Sequence, residues 1–183
     1  MAAVTVIDHT EIGSGGTAYW EETSIPTDGT YDHLLIKASL LGEKDVWYDS
    51  PSITVNGITS SVYSNTAMYS RAVTGAPNVT RENARGNLVN CFWPGARPDL
   101  SNTTTFGSLE IWIPHYANST NYKPFVVKAI SAQASVGASD WTNCIMAGLY
   151  AQTTAISSIK IASGHGTDLA RYSTITLYGI TGV

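Results

Sequence analysis

Tyr31-Asp32-His33-Leu34-Leu35-Ile36-Lys37-Ala38-Ser39-Leu40-Leu41 is the stretch that decides the fold. Leu34, Ile36, Ala38 and Leu40 recur at every second position, so an extended backbone carries them on one face. No helical stripe of comparable strength runs through these residues. Outward from it the same rhythm returns. Phe106 to Pro114 sets Leu109, Ile111 and Ile113 against Ser108, Glu110 and Trp112. Lys123 to Ala132 sets Phe125, Val127 and Ala129 against Val126, Lys128 and Ile130. Asn143 to Ala151 has Ile145, Ala147 and Leu149 in step, and Ser157 to Ile161 and Arg171 to Ile180 complete the series.

Turn chemistry separates these runs. Pro26-Thr27-Asp28-Gly29, Val55-Asn56-Gly57, Gly137-Ala138-Ser139-Asp140 and Gly164-His165-Gly166 combine the residues that reverse a chain. With Thr17–Ile25 and Ser52–Ile58 added, the pattern predicts an all-β, antiparallel β-sandwich of about eight strands. At 183 residues the chain suits a single domain.

Two regions break the rhythm. Residues 1–16 hold Val4 and Val6 alternating with Thr5 ahead of Gly13-Ser14-Gly15-Gly16. They read either as a first strand of the domain's own sheet or as a hinged N-terminal arm adding a strand to a neighbour. The second region, 64–105, reads as a long insertion. It gathers Arg71, Arg81, Arg85 and Arg97 with Phe92 and Trp93, residue types that concentrate at interface hot spots. The bland alternative is that ordinary strands lie here, Leu88 to Trp93 among them, with solvated arginines. Val4, Val6, Arg71, Arg81, Arg85, Phe92, Trp93 and Arg97 are therefore the candidate partner-binding residues.

Composition narrows the function. Charged residues make up 13% of the chain, about half the usual share of roughly 25%, while hydrophobic residues reach 43%. A surface so poor in charge favours association. The net charge of −4 and the absence of a basic stripe argue against a protein that wraps nucleic acid. No apolar run reaches the roughly 18 residues of a membrane span, and no secretory leader pattern opens the sequence. The expectation is a protein with no membrane partner, made in a cytoplasm. Cys91 and Cys144 can pair or stay as buried thiols.

Catalytic constellations are not visible. His9, His33, His115 and His165 lack metal-ligand spacing, and no G-x-S-x-G elbow occurs. Glu21 and Glu22 adjoin on a predicted strand and so point to opposite faces. Asp45, Asp49, Glu110 and Asp140 read as surface charges, and His165 as a loop residue. The expectation is a non-enzyme with no cofactor and no metal. Trp47-Tyr48, Tyr116 and Tyr122 sit near predicted loops, where exposed rings could stack on sugars, but core and interface packing is the favoured reading.

Ile25 with Tyr31-Asp32-His33-Leu34, Phe106-Gly107-Ser108, Ile113-Pro114-His115-Tyr116-Ala117-Asn118-Ser119, Gly148-Leu149-Tyr150, Ala155-Ile156-Ser157-Ser158-Ile159 and Ser173-Thr174-Ile175-Thr176-Leu177-Tyr178-Gly179-Ile180 form a recognisable set. Together they resemble a jelly-roll structural domain family of bacteriophage virion proteins, of the head-decoration, head-fibre or tail-fibre type. The resemblance spans most of the chain outside residues 64–105. Its motifs are framework, so it carries no site residues across. It implies a jelly-roll sandwich on the outer surface of a phage particle, assembled in the host cytoplasm. Fibre proteins append such a domain to a shaft, whereas here no coiled-coil or collagen-like repeat accompanies it. That anatomy suits a capsid decoration (cement) protein, with the major capsid protein and copies of itself, as a homotrimer, for partners. The alternative is a tail or baseplate module that recognises host-surface polysaccharide.

Overall fold

A computed structural model of the chain describes residues 3–43, 49–71, 77–88, 105–135 and 138–182. Eleven strands run through them, and no helix occurs among the described residues. They are β1 (Ala3–Glu11), β2 (Tyr19–Glu22), β3 (His33–Leu40), β4 (Pro51–Val55), β5 (Tyr63–Arg71), β6 (Pro77–Arg85), β7 (Gly107–Pro114), β8 (Lys123–Ser135), β9 (Ala138–Tyr150), β10 (Ile159–Ser163) and β11 (Thr174–Thr181). All pairings are antiparallel. One sheet of eight strands has the order β1-β11-β3-β7-β8-β9-β5-β6, and a second of three has the order β2-β10-β4. The protein is an all-β sandwich.

The alternation seen in sequence is the reason for this layering. Leu34, Ile36 and Leu40 of β3, Leu109, Ile111 and Ile113 of β7, and Phe125 and Val127 of β8 are all buried, 0–1% exposed. They form one core with Trp20, Ile53, Val55, Ile159 and Ile161 from the small sheet. Polar contacts then fix the two sheets against each other. A bulge between Val6 and Asp8 of β1 accompanies an Asp8 carboxylate that accepts from Trp20 Nε1 of β2 at 3.0 Å. The hydroxyl of Tyr63 on β5 accepts from the Val55 amide of β4 and donates to the Ile58 carbonyl, each at 2.9 Å. Burial pushes that phenol up to about 12.

Local turn chemistry holds at Val55-Asn56-Gly57. Asn56 and Gly57 both take positive φ, 52° and 65°, as a type I′ reversal between Val55 and Ile58 demands. Gly179 of β11 serves another need. A Cβ there would lie 2.4 Å from the Tyr31 ring, so the Leu-Tyr-Gly-Ile segment carries glycine where that ring packs on the strand.

Two expectations need correction. The described strands number eleven rather than about eight. Ala138-Ser139-Asp140, read as part of a turn, open β9. Within the stretch 64–105 the described residues follow the alternative of ordinary strands: β5 and β6 form a hairpin whose strand β5 also pairs β9. Ile145 and Ala147 share a face as read, and it is the outer one; Cys144, Met146 and Tyr150 point into the core. Residues 1–2, 44–48, 72–76, 89–104, 136–137 and 183 lie outside the described residues.

Candidate functional site

The eight-stranded sheet covers the core with one face and turns the other outward. Two hairpins, β8–β9 and β5–β6, lie side by side to form one end of that sheet. Their outward positions are unusually apolar. Val79, Met68 and Ile145 stand in line across β6, β5 and β9, and Ile130 of β8 lies one row away opposite Asn143. Their exposures are 69%, 53%, 45% and 60%. Val126, 38% exposed, and Ala147 continue the surface in the next row. Around Met68, Ile130 and Ile145 lies a shallow hollow of about 420 Å³.

Charge borders the patch. Lys128, opposite Ile145, reaches Glu110 at 3.5 Å, and Lys37 reaches the same carboxylate at 3.0 Å. The Lys37 hydrogen bond, and then the charge of Lys128, hold the Glu110 carboxyl below its ordinary range. Such exposed pairs contribute little to stability, about 0–1 kcal/mol. Here they mark where the apolar surface stops. On the other side Arg81 is exposed in register with Thr66, and Ser70 donates to Asn143 at 2.8 Å.

Of the expected partner-binding residues whose side chains are described, only Arg81 borders this patch on its outer face. Arg71 ends β5 with its backbone opposite Thr142. Arg85 sits at the far end of β6 and pairs with Glu82 at 3.4 Å, so it is not merely solvated. Val4 and Val6, exposed at 61% and 54%, lie on β1 at the opposite margin of the sheet. Seven interstrand steps, roughly 34 Å, separate β1 from β6. Phe92, Trp93 and Arg97 lie outside the described residues, as does Cys91; Cys144 is buried on β9. The reading missed Met68, Val79, Ile130 and Ile145. Its clue was there: β8 is apolar on both of its faces, more than a single core requires.

Possible chemistry elsewhere can be placed too. Asp49 is no surface charge. It is fully buried, and its Oδ1 accepts from the Ser50 amide at 2.7 Å and lies 2.9 Å from His165 Nδ1. Its Oδ2 meets Gly42, where a Cβ would come within 2.4 Å. The pair pins the β10–β11 loop to the β3–β4 loop. Among the described residues no three His, Cys, Asp or Glu side chains converge as a metal site would need. Tyr116 is buried with its hydroxyl donating to the Pro26 carbonyl, whereas Tyr122 is 55% exposed. Asp45 and Trp47-Tyr48 lie outside the described residues.

The chain matches no family model, no curated protein and no solved structure.

Proposed function

We propose that the protein is a structural component of a bacteriophage particle, a capsid decoration (cement) protein that binds and stabilises the assembled shell without catalysis. The observation that carries this reading is the apolar outward face of the β8-β9-β5-β6 half-sheet on a chain with 13% charged residues. Four strands by about five residues give roughly 300 Å² of flat surface. A stable one-to-one complex buries about 800 Å² per partner. The four central side chains, each about half exposed, offer about 1 kcal/mol apiece on docking. Association itself costs about 4–15 kcal/mol. A contact of that size holds a lone soluble partner only at high concentration. It suits a partner that supplies a wider surface and repeats many times, as a capsid does, with the major capsid protein beneath and other copies of this chain around it.

The strand order lends support of a second kind. β11 lies between β1 and β3, and β10 between β2 and β4. That interleaving is what a jelly roll requires, where one long folded hairpin wraps so that its last strands fall between its first. The β5–β6 and β8–β9 hairpins are then additions to the framework, and they are the ones that carry the patch. The polysaccharide alternative has less behind it, since of the two described rings in that set Tyr116 is buried and Tyr122 is exposed.

Two measurements on particles test the reading. Hundreds of copies per particle are expected, and particles stripped of the protein should fail at lower temperature or milder osmotic shock. Stripped particles as robust as complete ones would refute cementing. A few copies per particle, with adsorption blocked by host polysaccharide, would move the protein to the tail.

A further inference from the structure

Strand margins are where a sandwich is open to another chain, because each presents a row of backbone amides and carbonyls with no partner in its own sheet. This fold has four such margins, and three are protected. β6 opens with Pro77 and carries Arg81, Glu82 and Arg85. β2 is only four residues long and ends in Glu21-Glu22. β4 is covered by Leu88, whose amide and carbonyl both bond Ile53, at 3.0 and 2.9 Å. β1 differs. Its first half, Ala3-Val4-Thr5-Val6, has no charge and no proline, no segment covers it among the described residues, and every residue in it is exposed. Charge starts only beyond the bulge after Val6, at Asp8, His9 and Glu11.

We propose that the Ala3–Ile7 margin of β1 pairs antiparallel with the same margin of a second copy, joining two eight-stranded sheets across a twofold axis. The sequence is self-complementary about Thr5. With Thr5 on the axis, Val4 faces Val6 of the second copy and Val6 faces its Val4, all four on the outer surface of the joined sheet. Val4 and Val6 already stand beside Ile180 and Tyr178 of β11, so the new pairs extend an existing apolar band. The axis also keeps like charges apart, because Asp8, His9 and Glu11 of each copy lie beyond the paired stretch. A second copy is thus the occupant the segment accepts without repulsion.

Size sets the strength. About four residues of strand by the roughly 10 Å thickness of a sheet give on the order of 150 Å² per copy, far below the 800 Å² of a stable dimer. The pair forms at high protein concentration, or where a surface already holds the copies side by side. This stands apart from the shell-binding reading, since β1 is at the opposite end of the sheet from the patch.

Sedimentation of the full chain between roughly 10 µM and 1 mM tests it. The expected result is a monomer that passes to a dimer within that range. V4K/V6K and V4E/V6E, each alone, should associate about tenfold more weakly while keeping the wild-type unfolding midpoint, because exposed positions are changed and like charges now face each other. Mixing the two variants should restore the dimer. A wild type that stays monomeric throughout, a trimer, or a V4K/V6K variant that dimerises like the wild type would overturn the proposal. A mixture that fails to associate would do so as well.

Discussion

Replacing Met68 and Ile145 together by serine should leave the fold standing and weaken shell binding about thirtyfold. The two side chains are neighbours across β5 and β9 at the centre of the outward patch, with 53% and 45% of their surface exposed. Complete burial of such a side chain is favourable by about 2 kcal/mol, so docking an already half-covered one gains about 1 kcal/mol. Losing both gains costs about 2 kcal/mol, which is the thirtyfold factor. The core does not notice, because Ala67, Cys144 and Met146, on the opposite face, do the inward packing. The assay is cosedimentation of labelled protein with stripped shells over a concentration series, with the thermal midpoint of each free protein measured alongside. A variant that keeps its midpoint and binds within about threefold of the wild type would show that this face does not touch the shell.

Two further expectations concern the framework. Gly179→Ala should lower stability by about 1–3 kcal/mol in urea unfolding, because its methyl group enters the Tyr31 ring at 2.4 Å; Tyr31→Ala in the same chain should make the added methyl nearly silent, and a glycine effect that persists without the ring would refute the packing argument. His33 accepts from the His115 amide at 3.0 Å and packs on the Trp112 and His115 rings, and burial, then the His115 charge, holds its imidazole below the ordinary value of about 6.5. The unfolded chain then takes up a proton at a pH where the folded one does not, so stability is fully present above about pH 6.5 and falls as the pH drops through it. His33→Gln should flatten that part of the profile between pH 8 and 5; equal slopes for both proteins would exclude His33 as the cause.

What the sequence showed and what it hid follow from where polar residues face. β3, β7 and β11 were legible because their inward residues are aliphatic and their outward ones are largely not, so period two is plain. β5 and β6 were obscured because the inward side mixes polar and apolar residues: between the buried Tyr63 and Ala67, Asn65 is buried at 4% exposure, and its register partner is Glu82. With Met68 and Val79 outward and Asn65 and Glu82 inward, the apolar residues switch faces and leave no period-two signal. β9 failed the opposite way. With Ile145 and Leu149 outward and Met146 and Tyr150 inward, both faces are apolar, and periodicity alone could not say which met the core. The patch was missed for the same reason, since outward hydrophobics on β8 and β9 look like core until a second sheet is known to lie on the other side. The Asp49–His165 contact spans 116 positions along the chain, and no local pattern announces it.

The interleaved strand order has a bearing on how the molecule is made. Among the described residues, the strand partner of β1 is β11 and that of β2 is β10, so β1 and β2 wait for strands made much later. Pairings of such long range form slowly, and a nascent chain halted before Ile159 would present bare segments from both layers to proteases and to other chains. Synthesis of β10 and β11 thus acts as a checkpoint. A polypeptide interrupted before them cannot close either layer.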